Sequence, residues 1–143
     1  MKYLTKTLFV VCAILIITAC KKEGEPDVPT AQKEAFEKLS GNWSLGTTGS
    51  IKLDGNDISG NYDGFMLSFT NGGYTTTNAG ELLNATGTWE WSNPQAGEIT
   101  LDGDRSVTIN NLTTSQFMFS FTFSGSGGVR AGTEGSYLIT VVK

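Results

Sequence analysis

The chain has 143 residues, a formal net charge of −4 and no histidine. The missing histidine removes the commonest general base, the commonest metal ligand and every His-containing triad. After residue 40 only Lys52, Arg105, Arg130 and Lys143 are basic, against nine acids, so no basic stripe exists to neutralise phosphates and nucleic acid is not an expected partner.

Glycine is frequent at 18 and proline scarce at 3, with Thr, Ser and Asn between short apolar runs. That is the composition of many short strands joined by tight turns. With the N-terminal segments set aside, about 100 residues remain for a core, which is one domain. A chain of that size buries roughly two-thirds of its surface without staples.

Met1–Lys6 carries Lys2 and Lys6, and Leu8–Ile17 is an apolar run of ten residues. The run is too short for a hydrocarbon core of about 30 Å and suits the centre of a signal peptide. It ends in Ile17-Thr18-Ala19-Cys20, which resembles the bacterial lipobox: an aliphatic residue, two small residues that let a peptidase reach the backbone, and a cysteine whose thiol takes the lipid. The expectation is a lipoprotein signal peptide over 1–19, a lipidated tether over 20–29 and a folded domain over 30–143. Cleavage removes Lys2, Lys6 and Cys12, which makes the net charge −6 and leaves Cys20 under its lipid as the remaining cysteine. No thiol is then left for a disulfide in an oxidising compartment. Several acyl chains, at about 0.8 kcal/mol per buried methylene, make a stable anchor. The membrane is therefore an expected partner and the outer membrane the expected location. Lys21-Lys22-Glu23-Gly24-Glu25 loosely resembles the acid-containing stretch that marks lipoproteins of the Bacteroidota for the outer surface. A solvated tether explains it equally, so the face of the membrane stays open.

Thr30–Leu39 is the one helical pattern, with Thr30 as cap, Ala31, Ala35, Phe36 and Leu39 as its apolar face and Gly41 as its stop. Everything after Gly41 reads as strand and turn. Trp43–Leu45 and Ile51–Leu53 flank a break at Gly46–Ser50 and can be one long bent strand. Asp54-Gly55-Asn56-Asp57 is a turn. Phe65–Thr70 alternates, and Asn71-Gly72 predicts a two-residue hairpin turn with positive φ at both positions. Tyr74–Thr77 returns, and Asn78–Ala85 reads as a polar loop. Gly87–Trp91 puts Trp89 and Trp91 on one face, and Ser92–Gly97 is a loop. Glu98–Leu101 and Arg105–Ile109 meet across Asp102-Gly103, and Asn110–Thr114 is a turn. In Gln116–Phe123 four phenylalanines alternate with Met118, Ser120 and Thr122. Gly125–Gly128 is a loop and Gly135–Val142 the last strand. The expected fold is all-β: eight short-linked strands in an antiparallel up-and-down barrel behind a short N-terminal helix, with a β-sandwich as the alternative.

Gly41-Asn42-Trp43, after a short helix and opening the first strand, resembles the Gly-x-Trp start of the lipocalin and calycin barrels. So do the small lipocalin-like lipoproteins of Bacteroidota resemble this chain, through Phe65-Met-Leu-Ser-Phe-Thr-Asn-Gly-Gly-Tyr74, Gly87-Thr-Trp89, Ile109-Asn-Asn-Leu112-Thr and Gly132-Thr-Glu-Gly-Ser-Tyr137. The resemblance covers residues 39–143. It implies a lipocalin-like barrel closed at one end by Trp43, an envelope location and no settled activity. The Thr-Asp-Tyr motif of true lipocalins is absent, Asn61-Tyr62-Asp63 being its nearest echo. For the basic residue that stacks on the opening Trp, Lys143 and Arg130 are the candidates.

The aromatic residues carry two readings. Phe65, Phe69, Trp89, Trp91, Phe117, Phe119, Phe121 and Phe123 either line a pocket for a small apolar or glycan-like ligand or fill the barrel, since rings burying about 150–250 Å² each can plug a small interior. Tyr62 and Tyr74 are candidate polar handles near the open end. Asp54, Asn56 and Asp57, and Asp102 and Asp104, lack the long oxygen array of a calcium loop and suit turns instead. Glu90 is the best acid for a two-carboxylate hydrolase, but it faces water if Trp89 and Trp91 face in. With neither histidine nor a nucleophile motif, no catalytic residue, metal or cofactor is expected. The leading expectation is a non-enzymatic, lipid-anchored envelope barrel that binds a small ligand or a partner protein. A structural or accessory subunit of an envelope complex, with a filled barrel, is the alternative.

Overall fold

The computed structural model describes residues 28–124 and 133–143. The expected signal peptide over 1–19, Cys20, Arg130 and the 125–128 loop lie outside the described residues. Helix α1 spans Thr30–Leu39, as its apolar spacing predicts. Thr30 does not cap it: Pro29 takes the N-cap position, and its carbonyl accepts the amides of Gln32 and Lys33 instead. A ten-residue helix is marginal by itself, so α1 depends on the surface it covers.

The strands are β1 (Gly41–Ser44), β2 (Ser50–Leu53), β3 (Asn56–Asp57), β4 (Met66–Thr70), β5 (Gly73–Thr77), β6 (Thr86–Trp91), β7 (Glu98–Leu101), β8 (Arg105–Leu112), β9 (Gln116–Phe123) and β10 (Gly135–Val142). β1 and β2 are two halves of one bent strand, because both pair with β10, through Ser44↔Val142 and through Ser50↔Thr140 to Leu53↔Tyr137. The bend folds tightly at Gly49, whose amide donates to the Leu45 carbonyl at 2.6 Å. A Cβ on Gly49 would meet the backbone of Leu45 and, at 2.7 Å, the carbonyl of Thr140. β3 merely doubles back on β2. Counted this way, eight antiparallel strands run in sequence order from β1 through β4 to β10 and close on β1. Closure leaves a barrel, not a sandwich, and removes the exposed edges of an open sheet.

Three local readings change. The β4–β5 turn holds positive φ only at Gly72 (73°), so one left-handed residue suffices where two were expected. β8 continues past Ile109 to Leu112 through a bulge at Asn110, and the turn to β9 shrinks to 113–115. The 78–85 loop is not a polar excursion: Ala79, Leu82 and Leu83 are buried in the barrel core.

The pairings define two ends. At one end lie α1, the 71–72 turn, the 92–97 and 113–115 connections and Lys143; at the other lie 54–64, 78–85, 102–104, Phe123 and Gly135. Alternation puts Phe65, Leu67 and Phe69 inside while Met66 stands 46% exposed on the outer face.

Candidate functional site

The residues singled out as a pocket lining converge, and they converge on one another. Phe65, Phe69, Trp89, Phe117, Phe119 and Phe121 are buried in one cluster, with Trp91 and Phe123 half-buried against it. Their rings form a chain along the barrel axis. From the loop end it runs Tyr137 to Phe121 at 5.3 Å, Phe121 to Phe119 at 6.4 Å, and Phe119 to Phe117 at 4.6 Å. It continues from Phe117 to Phe69 at 5.9 Å, from Phe69 to Trp89 at 5.8 Å, and from Trp89 to Trp91 at 5.1 Å. These separations are those of rings in direct contact, and with Phe117 0%, Phe119 2% and Phe121 5% exposed the interior is packed around them.

Both ends are plugged. At the α1 end Trp43 is 1% exposed, its indole N–H donates to the Leu39 carbonyl at 2.8 Å, and its ring lies 5.8 Å from Phe117. Lys143 Nζ sits 4.3 Å above the Trp43 ring and donates to the carbonyls of Lys38 and Ser40, each at 2.7 Å. Of the two basic candidates, the C-terminal lysine therefore stacks on the opening Trp. Burial draws its pKa below the ordinary lysine range, while the ring and the two carbonyls favour its charge. Phe36 of α1 stacks on Trp89 at 5.9 Å.

At the loop end the plug is the 78–85 loop. Leu82 and Leu83 enter the core, and Arg105 donates to the Leu82 carbonyl while its guanidinium lies 5.3 Å from the Phe121 ring and 5.7 Å from Phe123. Sequence reasoning missed this arginine. The available signal was its parity with Val107 two positions on, which puts it on the inner face.

Of the two tyrosine handles, Tyr74 is not free to serve an interior ligand. The Tyr74 ring crosses Gly87, where a Cβ would collide with the ring and with Asp102, and its hydroxyl donates to Asp102 at 2.6 Å. Burial and that carboxylate push the phenol pKa well up. Asp102 also accepts the Asn84 amide at 2.6 Å and the Thr88 N–H at 2.9 Å. Burial works to raise the Asp102 pKa, but the bonds from Tyr74, Thr88 and Asn84 and the charge of Arg105 outweigh it and hold it below the usual carboxylate value. Tyr62 lies against the 78–85 loop beside Gly80, and burial and Glu81 raise its pKa.

Two further acids hold backbone amides. Asp54 accepts the Ser136 amide and Asp57 the Ser59 amide, each at 2.9 Å. The Ser59 hydroxyl, and then that amide, lower the Asp57 pKa. Among the described residues no group of three or more His, Cys, Asp or Glu is placed to hold a metal. Glu90 is exposed on the outer face, between inward Trp89 and Trp91. Two clefts flank the packed interior. One of about 690 Å³ runs over Ser106, Thr108, Ser120 and Ser136 to Phe121 and Tyr137. The other, of about 680 Å³, lies over Gly46, Gly49, Gly60 and Gly64 beside Phe65 and Met66.

No family model, curated protein or solved structure matches this chain.

Proposed function

We propose that this is a lipid-anchored, non-enzymatic protein of the bacterial cell envelope that acts as a structural or accessory subunit through its outer surface. The ring chain from Tyr137 to Trp91, stoppered by Leu82 and Leu83 at one end and by Trp43 at the other, carries this reading. A barrel whose interior is occupied by its own side chains has no room there for a transported molecule. The anchor rests on Ile17-Thr18-Ala19-Cys20. Kinship with the small lipocalin-like lipoproteins of Bacteroidota is part of the proposal, supported by Gly41-Asn42-Trp43, the up-and-down closure and Lys143 over Trp43.

Trp91 is half-buried at the end of the ring chain and reports on its occupancy. Titration with fatty acids, retinoid-like probes and oligosaccharides is expected to leave the tryptophan emission unchanged. A saturable response that Phe119→Ala weakens would reinstate the small-ligand reading. Radiolabelled palmitate should enter the wild-type protein and not Cys20→Ala; an unlabelled wild type ends the lipoprotein reading.

A further inference from the structure

We infer that the anchored barrel stands with its α1 end against the membrane and its acidic loop end pointing away. The inference rests on the anchor proposed at Cys20 and on two independent properties of the fold.

The first is reach. Ten residues, 20–29, separate the lipidated position from the start of α1 at Thr30. Fully extended they span at most about 35 Å. The longest strands have eight residues, so the barrel wall is about 20 Å high once their tilt is taken into account. Gln32 donates to the carbonyl of Asn93, which places the first turn of α1 at the 92–97 connection and away from the loop end. A pose with the loop end on the lipid requires the tether to run about 20 Å along the wall, more than half of its full reach, before it meets the bilayer. The opposite pose leaves the tether slack, with many more conformations open to it.

The second is charge. Asp102 apart, the loop end exposes Asp54, Asp57, Asp63, Glu81, Asp104 and Glu134. Its described cations are Lys52 and Arg105, and the Arg105 guanidinium lies over Phe121 and Phe123. At the α1 end Lys33, Lys38 and Lys143 stand against Glu34, Glu37, Glu90 and Glu98, close to balance. An anionic lipid surface repels the loop end within a Debye length of about 8–10 Å far more than it repels the nearly balanced α1 end. Reach and charge favour the same pose.

The test uses the full lipidated protein in vesicles of phosphatidylethanolamine and phosphatidylglycerol. Thr114→Cys, in the turn after β8, and Asn61→Cys, in the turn before β4, are exposed sites at the α1 and loop ends. Each is labelled with a thiol fluorophore and quenched by a headgroup spin-labelled lipid. The label at 114 is expected to quench severalfold more than the label at 61. Combining Asp63→Asn, Glu81→Gln and Asp104→Asn is expected to raise quenching at 61. Equal or stronger quenching at 61 in protein that floats with the vesicles overturns the orientation. A neutralised variant whose labels quench as before overturns its electrostatic part. Protein that does not float removes the anchor, and this inference with it.

Discussion

Replacing Trp43 by alanine tests the closure of the barrel at its α1 end. The side chain is 1% exposed, touches Phe117, donates to the Leu39 carbonyl and carries the Lys143 ammonium on its outer face. Truncating a buried tryptophan costs about 3–5 kcal/mol through lost transfer energy and the cavity left behind. The abandoned Leu39 carbonyl and the lost cation–π contact push the result toward the top of that range. Against a total stability of about 5–15 kcal/mol for a domain of this kind, the variant should fold but unfold at a much lower urea midpoint. Trp43→Phe separates the terms: it keeps most of the ring contact and loses the indole N–H, for about 1–2 kcal/mol. Equilibrium urea unfolding followed by far-ultraviolet circular dichroism reads both without relying on the tryptophan being removed. A loss below about 1 kcal/mol for Trp43→Ala, the range of surface substitutions, would refute the plug.

Two further outcomes follow from the loop end. Leu83→Ala should cost about 2–5 kcal/mol and expose the ring chain to an apolar dye such as ANS; a surface-like loss with no dye binding would mean that the 78–85 loop is not a stopper. Asp102 has a folded pKa below the usual carboxylate value, so its contribution is fully present above the unfolded pKa and is lost as pH falls through the folded value. The stability of the wild type should therefore drop below about pH 4, and Asp102→Asn should be less stable at neutral pH with a flatter acid limb. Parallel pH profiles from urea midpoints would sink the Tyr74–Asp102–Asn84 account.

Much of the architecture was legible because β-structure writes itself at period two. Phe117, Phe119, Phe121 and Phe123 alternating with Met118, Ser120 and Thr122 define a strand and its inner face whatever surrounds it. Short turns between successive strands restrict neighbours to antiparallel pairing, and Ala31, Ala35, Phe36 and Leu39 define α1. Local chemistry also settled that Glu90 faces away from Trp89 and Trp91. What local chemistry could not settle was what lies opposite each inner face. Leu82 and Leu83 are adjacent, so they carry no alternation, and between Gly80, Glu81 and Asn84 they read as loop; only closure of the sheet creates the open end into which they fold. Arg105 looks like a surface charge until Phe121, Phe123 and the Leu82 carbonyl are brought beside it from other parts of the chain. Lys143 meets Trp43 across 100 positions of sequence because the last strand closes the barrel on the first. Whether the aromatic stripe encloses a cavity or fills it is a question of volume. Volume belongs to the assembled barrel, because a sequence specifies which rings point inward but not how far apart the opposing walls stand.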